Sequence, residues 1–120
     1  MGRKILIVED DTDFQDIYTL YLQGESFEVL KAGNGQEGLA ILEKEIPDLI
    51  ILDLIMPVMD GEEFYVRLRA QEKWKRIPVI IASVNEKIPH RVAELGNVSD
   101  VLKKPFDVEV LLQKIRKHLK

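Results

Sequence analysis

The sequence contains no cysteine, which excludes disulfide bonds, thiolate catalysis and cysteine-ligated zinc. It has only two histidines, His90 and His118, and their separation does not suggest a multi-histidine metal site. No apolar run is long enough to cross a bilayer, and the amino-terminal residues lack the long apolar segment and cleavage site of a secretory signal. These absences predict a soluble, cytoplasmic protein without a membrane partner.

The residues that are present describe an ordinary globular domain. Hydrophobic residues make up 46% and charged residues 32% of a 120-residue chain, which fits one domain over residues 1–120. The formal charge of −4 weighs against nonspecific binding of nucleic acid, so no direct nucleic-acid partner is predicted. The basic cluster near the carboxyl end is interpreted as a solvated helix end that complements the helix dipole; it comprises Lys114, Arg116, Lys117, His118 and Lys120.

Five short apolar runs alternate with longer segments of helical period. The runs cover residues 4–8, 27–32, 48–52, 78–83 and 100–103, and each is predicted to be a β-strand. The third run is apolar on both faces, which is typical of a central parallel strand covered on both sides. Strict alternation implies a parallel sheet with right-handed crossovers. We therefore predict an α/β fold with an open, doubly wound, flavodoxin-like sheet of five strands in the order 2-1-3-4-5, flanked by five helices.

The helical segments carry recognisable faces and ends. Asn34 and Asp107 are predicted to cap the second and the last helix, and Pro89 is expected in the first turn of a short fourth helix. The first helix is predicted to end in a left-handed turn at Gly24. Apolar spacing predicts one buried face in each of two helices. These faces are Phe14, Ile17, Tyr18 and Tyr21 in the first helix and Val108, Leu111, Leu112, Ile115 and Leu119 in the last. Trp74 and Phe106 are interpreted as core or rim packing.

Polar residues follow four of the predicted strands at the point where each strand ends. Glu9, Asp10 and Asp11 follow the first strand and Asp53 follows the third, and these strands are neighbours in the predicted order. The fourth strand ends in Ser83, and Lys104 follows the fifth. Ligands of open α/β sheets bind at this edge, and converging carboxylates repel unless a cation holds them. Mg²⁺ is the natural candidate because it prefers hard oxygen ligands, although each acidic residue alone could simply cap a helix or loop.

Four segments of the chain form a further pattern: ILIVEDD (5–11), DLIILDLIMPVMDG (48–61), PVIIAS (78–83) and LKKPF (102–106). They resemble the receiver domains of two-component response regulators, of the stand-alone type found in chemotaxis. The resemblance implies that Asp53 is the phosphoacceptor and that Ser83 and Lys104 assist the transfer. It further implies a Mg²⁺ site formed by Asp10, by Asp53, by the backbone carbonyl of Ile55 and, through water, by Glu9. Asp11 is given no metal role.

The same resemblance implies a phosphorylation-activated signalling domain rather than an enzyme, one that catalyses only its own phosphorylation and dephosphorylation. The expected donor is a sensor histidine kinase or a histidine phosphotransfer protein. The expected output is a conformational change of the face formed by the fourth helix, fifth strand and last helix, read by an unknown downstream protein. Ser83, Val84 and Val101 are the expected switch positions.

Several positions depart from the family pattern. Val101 occupies a position that is commonly Tyr or Phe, so a tyrosine-rotamer switch cannot operate in its usual form. Val84 replaces a residue that is usually small. The fourth helix is expected to be short, and Asn97 is expected to adopt left-handed angles in place of glycine. Ile55 and Asn85 are expected to flank the path of the hydrolytic water, and an apolar Ile55 predicts a long-lived phosphorylated state.

Two other classes of function remain open from the sequence. One is an interaction module whose acidic cluster serves only stability. The other is an enzyme, such as a Mg²⁺-dependent phosphatase using Asp53, or a flavin mononucleotide carrier. The first strand is not followed by a loop rich in Gly, Ser or Thr, which disfavours the flavin carrier. Ile55 stands where a phosphatase would need an acid, two residues after its nucleophile.

Overall fold

A computed structural model describes residues 3–56, 58–84 and 87–119 of the chain. Strands and helices alternate along the whole of this length, as the sequence predicts. The strands are β1 (Lys4–Val8), β2 (Glu28–Ala32), β3 (Leu49–Leu52), β4 (Val79–Ser83) and β5 (Val98–Lys103). The helices are α1 (Thr12–Gly24), α2 (Gly35–Lys44), α3 (Gly61–Ala70), α4 (His90–Leu95) and α5 (Val108–His118). None of the helices in these ranges has both the length and the apolar character needed to cross a membrane.

The five strands form one parallel sheet in the order β2-β1-β3-β4-β5, which confirms the predicted fold. Val8 lies opposite Ala32 of β2 and Leu52 of β3. The residues that follow β1 and β3 therefore emerge side by side at the same edge of the sheet. The pairing of β4 with β5 shifts by one residue between Val79 and Ile80 and continues to Ser83, which lies opposite Lys103.

Two apolar layers cover the sheet, one on each face. Every residue of β3 is buried, as expected of a central strand with helices on both sides. Leu42 of α2, Phe64 of α3 and Val92 of α4 belong to the first layer, which also contains Trp74. The second layer packs α1 and α5 against the opposite face, and the predicted inner face of α5 is confirmed; its members include Tyr18, Leu22, Leu111, Leu112 and Ile115, with Phe106, Val108 and Leu119 packed against them.

Side-chain caps begin four of the helices. The Asp11 carboxylate accepts hydrogen bonds from the backbone amides of Asp13 and Phe14 at the start of α1. Asn34 and Asp107 cap α2 and α5 in the same way, as predicted, and Asp60 caps α3. Each cap satisfies amides that have no partner within the first turn of a helix. The caps therefore fix where each helix begins after its strand.

The predicted buried face of α1 is partly wrong. Tyr18 and Leu22 are buried, but Ile17 is 44% exposed and Tyr21 is 51% exposed. The buried residues Tyr18 and Leu22 are spaced four apart along the helix. The buried stripe therefore lies beside the stripe through Ile17 and Tyr21, which was also predicted to be buried. The left-handed turn at Gly24 is also wrong, because Gly24 is helical and the positive φ of 69° falls on Ser26.

His118 is less exposed than the sequence analysis predicts. Its ring nitrogen Nε2 lies 3.2 Å from Asp100 Oδ2, and Lys114 Nζ lies 2.8 Å from the other oxygen of the same carboxylate. This contact joins the last turns of α5 to β5. His90, the other histidine, begins α4 and is exposed. Lys120 of the predicted basic cluster lies outside the described residues.

The carboxyl end of the short helix α4 is held by two side chains of α3. Gly96 and Asn97 both have positive φ values, 68° and 62°, so the left-handed prediction for Asn97 is confirmed. The Tyr65 hydroxyl donates to the carbonyl of Gly96, and Arg69 Nη2 donates to the carbonyl of Asn97 over 2.9 Å. Arg69 Nη1 also donates to the carbonyls of Lys75 and Ile77, so this guanidinium joins the segment between α3 and β4 to the residues that follow α4.

Candidate functional site

Backbone hydrogen bonds between neighbouring strand ends bring the predicted site residues to one edge of the sheet. The amide of Asp53 donates to the carbonyl of Val8 over 3.0 Å, which places Asp53 beside the residues that follow β1. The amide of Lys104 donates to the carbonyl of Ser83 over 2.8 Å, which joins the ends of β4 and β5. The predicted convergence of these four strand ends is therefore what the structure shows.

Three carboxylates form the acidic side of the site. One oxygen from each of Glu9, Asp10 and Asp53 lies within 4.8 Å of the others. Glu9 is 2% exposed and Asp53 is 8% exposed, whereas Asp10 faces solvent. Carboxylate oxygens at this spacing are suited to a hard divalent cation such as Mg²⁺. Asp11 has a structural role instead: its carboxylate caps α1, and its amide donates to Glu9 Oε2 over 3.1 Å.

Lys104 provides the positive charge of the site. The side chain is buried, and its ammonium group forms an ion pair with Glu9 and lies 3.3 Å from Asp53 Oδ2. The ammonium also lies 4.5 Å from the centre of the Phe14 ring. Burial raises the pKa of Glu9 to about 7, although the hydrogen bond from Lys104 and the amide of Asp11 both oppose this shift and Asp53 adds to it.

The remaining predicted residues surround the entrance to the site. The Ile55 amide donates to Asp53 Oδ1 over 3.1 Å, while the Ile55 side chain is 61% exposed. Together with Val84 it lines a cleft of about 220 Å³ that contains the three carboxylates and Lys104. Ser83 is buried and lines a neighbouring cleft of about 230 Å³, which it shares with Ile55. These two clefts meet at Ile55.

Two of the predicted switch positions differ in exposure. Val84 is 62% exposed at the rim, whereas Val101 is partly buried in β5 and packs against the layer formed by α2, α3 and α4. Val101 is absent from the linings of both clefts described above. Asn85, which was expected to flank the path of water together with Ile55, lies outside the described residues.

Sequence reasoning did not identify two residues that shape the site. A Cβ atom on Gly61 would lie 2.2 Å from the carbonyl oxygen of Asp53 and 2.5 Å from Cα of Leu54, so a side chain cannot be accommodated there. Phe14 was predicted only as a core residue, but its ring faces the Lys104 ammonium. The glycine of the MPVMDG stretch was a usable signal for the first, while the second depends on a contact between residues 90 positions apart.

Comparison with known proteins gives the class of the molecule. Residues 5–116 match the family described as the response regulator receiver domain. The chain therefore belongs to this family of two-component signalling domains, and the resemblance carried by its four sequence segments is confirmed. Membership in the family argues against two of the alternatives, the phosphatase and the flavin carrier.

Individual relatives agree with this assignment. The chain is 31% identical over 119 residues to sporulation initiation phosphotransferase F of Bacillus subtilis, covering 99% of this chain and 95% of that one. The chemotaxis response regulator CheY4 of Vibrio cholerae has a similar structure, with a TM-score of 0.90, 31% identity and coverage of 99% and 100%. So does the receiver domain of the sensor histidine kinase PA1611 from Pseudomonas aeruginosa, with a TM-score of 0.89, 28% identity and coverage of 99% and 98%. That structure has a magnesium ion coordinated in its active-site cleft.

Some relatives are about twice as long as this chain. It spans 47% of a DNA-binding transcriptional regulator from Synechocystis, to which it is 35% identical over 114 residues. It spans 52% of DNA-binding response regulators from several mycobacteria. In such proteins the similarity is confined to one part of the molecule.

Proposed function

We propose that Asp53 is the phosphoacceptor of this receiver domain and that the phosphoryl donor is a histidine of a sensor kinase or of a phosphotransfer protein. An Asp53 carboxylate oxygen would attack the phosphorus atom, the bond from phosphorus to the donor imidazole nitrogen would break, and an acyl phosphate would form. The observation that carries the proposal is the position of Lys104 Nζ, 3.3 Å from Asp53 Oδ2 beside two further carboxylates. The kinase and phosphotransferase relatives support this choice of donor.

The acidic group fits a Mg²⁺ ion. Its three carboxylates each offer an oxygen within 4.8 Å of the others, and the PA1611 receiver domain holds magnesium in its cleft. Asp10 and Asp53 would be direct ligands, Glu9 would act through water, and the backbone carbonyl of Ile55 would be a further ligand from the protein. When bound, the ion neutralises charge on the phosphoryl oxygens, which would otherwise meet three acidic side chains.

Lys104 and Ser83 supply the remaining contacts in this proposal. The Lys104 ammonium would bind one phosphoryl oxygen, since it is a compact point charge already at the acceptor carboxylate. The Ser83 hydroxyl would bind another after its loop moves inward, and Val84 and Val101 would follow that movement. The change would be transmitted to the face formed by α4, β5 and α5, where a downstream protein binds. The domain would catalyse only its own phosphorylation and dephosphorylation.

Mass spectrometry of the intact protein tests the proposal directly. We expect acetyl phosphate with Mg²⁺ to add the mass of one phosphoryl group, and fragmentation to locate the group on Asp53. Replacing Mg²⁺ by a chelator should slow this reaction by at least about 100-fold, because the acidic cluster then repels the donor. The same rate with and without the metal, or a label on another residue, would refute the proposed site.

A second prediction concerns the lifetime of the phosphorylated state. Ile55 is 61% exposed at the cleft and offers no polar atom from its side chain to orient an attacking water. We expect Ile55→Asn to accelerate loss of the phosphoryl group by about tenfold, as an added hydrogen-bonding group can orient that water. The decay of the phosphorylated mass peak after removal of the donor gives the rate.

Val58→Asn provides the matched control for this experiment. Val58 is 78% exposed in the same loop, but it is not among the residues that line the Asp53 cleft. The control introduces the same amide at a position removed from the acceptor, so its decay rate should equal that of the wild type. Equal rates for Ile55→Asn and the wild type would show that the residue does not limit hydrolysis.

A further inference from the structure

Three aromatic rings stack beside the Lys104 ammonium. Lys104 Nζ lies 4.5 Å from the centroid of the Phe14 ring. The Phe14 and Tyr18 rings have centroids 5.9 Å apart and planes inclined by 28°, and Tyr18 and Phe106 have centroids 5.6 Å apart and planes inclined by 18°. We call Phe14, Tyr18 and Phe106 the aromatic column. It runs from the ammonium to the segment that connects β5 with α5.

The column is held at both ends by the fold. Phe14 lies in the first turn of α1, where its amide donates to the capping carboxylate of Asp11 over 3.2 Å. Tyr18 follows one turn later and is 2% exposed, and Phe106 comes two residues after Lys104 itself. The Tyr18 hydroxyl has no hydrogen-bond partner within the described parts of the chain, so Tyr18 contributes to the column through its ring. The Phe14 ring therefore has a defined position relative to the lysine.

The chemistry of the Phe14 ring explains why this position matters. Lys104 has a flexible four-carbon stem, and a buried ammonium needs partners that fix its direction. An aromatic face attracts a cation within about 6 Å of its centre but accepts no conventional hydrogen bond from it. The ring thus covers one side of the ammonium while leaving its N–H donors for Glu9 and Asp53. An aliphatic side chain of similar volume would fill the space without that attraction.

We propose that Phe14 is a positioning residue for phosphoryl transfer, holding the Lys104 ammonium at the acceptor carboxylate through its ring. The inference rests on the proposed function, since it concerns the lysine contact with the incoming phosphoryl oxygen. Phe14 also lines the cleft that contains Asp53, and in this scheme it acts on the transfer through its contact with Lys104. Its effect should appear in the rate of transfer from acetyl phosphate at saturating Mg²⁺.

Variants at this position separate the ring from its volume. We expect Phe14→Leu to lower the phosphorylation rate by about three- to thirtyfold, the range given by a partly to fully desolvated cation–ring contact. Phe14→Tyr and Phe14→Trp keep an aromatic face and should retain a rate close to that of the wild type. Phe27→Leu is the matched control, because Phe27 packs against the same apolar layer outside the column and should leave the rate unchanged.

Unfolding temperatures of all variants distinguish positioning from a merely structural role. If the phosphorylation rates follow the presence of a ring at position 14, the proposal holds. If they follow the unfolding temperatures instead, or if Phe14→Leu reacts as fast as the wild type, the proposal is wrong. Failure of the wild-type protein to be phosphorylated at Asp53 would instead overturn the proposed function, and the wild-type sample in the same series reports that result separately.

Discussion

Asp53→Asn is expected to abolish phosphorylation by acetyl phosphate in the presence of Mg²⁺, with a loss of at least about 1,000-fold, the scale seen when a nucleophile is removed. The amide has nearly the shape of the carboxylate, and its oxygen can still accept the hydrogen bond that the Ile55 amide donates over 3.1 Å. The loss would therefore result from the missing nucleophilic charge rather than from altered packing. Intact-mass measurement over time gives the ratio of rates.

Asp16→Asn is the matched control for this substitution. Asp16 is exposed on α1, away from the acidic cluster. Its substitution makes the same change from carboxylate to amide, so the Asp16→Asn variant should be phosphorylated like the wild type. Trp74 is the single tryptophan and is buried in the layer under α3, which allows its fluorescence to report that both variants are folded. Undiminished phosphorylation of Asp53→Asn would show that the acceptor is another residue and would contradict the proposed mechanism.

The second large effect is expected from Gly61→Ala. The added methyl group would overlap backbone atoms at 2.2 and 2.5 Å, and those atoms belong to Asp53 and Leu54. Neither can rotate away as a side-chain end could, so the loop from β3 to α3 must move. We expect a decrease in the free energy of unfolding of about 3 kcal/mol or more, the upper part of the range for overpacked interiors. Chemical denaturation followed by Trp74 fluorescence measures it.

Gly24→Ala shows what the same methyl group does where there is room for it. Gly24 is the last residue of α1, and no atom of the described residues outside its own helix and neighbours lies within 4 Å of the added Cβ. Alanine should stabilise the protein there by up to about 1 kcal/mol, because it favours helix more than glycine does. Similar unfolding free energies for Gly61→Ala and the wild type would contradict the close approach of Gly61 to the backbone of Asp53 and Leu54.

The sequence predicted those features that depend on local patterns or on the order of the strands. Alternating apolar runs specify the sheet, and the caps at Asn34 and Asp107 follow from residue type at a helix start. The meeting of Glu9, Asp53 and Lys104 follows from the order of the strands, although Lys104 is 95 residues from Glu9. The family resemblance added the roles of these residues, which residue spacing alone does not provide.

The features that were missed depend on contacts between distant elements. Spacing within α1 permits both a stripe through Tyr18 and Leu22 and one through Ile17 and Tyr21, and only packing on the sheet selects the first. The contact between His118 and Asp100 needs α5 to lie along β5. The close approach of Gly61 to Asp53 is likewise tertiary, as it arises where a loop folds back on the end of its own strand.

The anchoring of α4 at one end has a consequence for how this helix can be displaced. The hydrogen bonds from Tyr65 and Arg69 fasten Gly96 and Asn97 directly after its last residue. At its other end no side chain of the described residues caps the first turn, and Arg91 there forms only two long, solvent-exposed ion pairs, with Glu62 and Glu63 of α3. Any rotation of α4 will therefore hinge near Leu95 and give its widest excursion at His90, on the side nearer to Ser83.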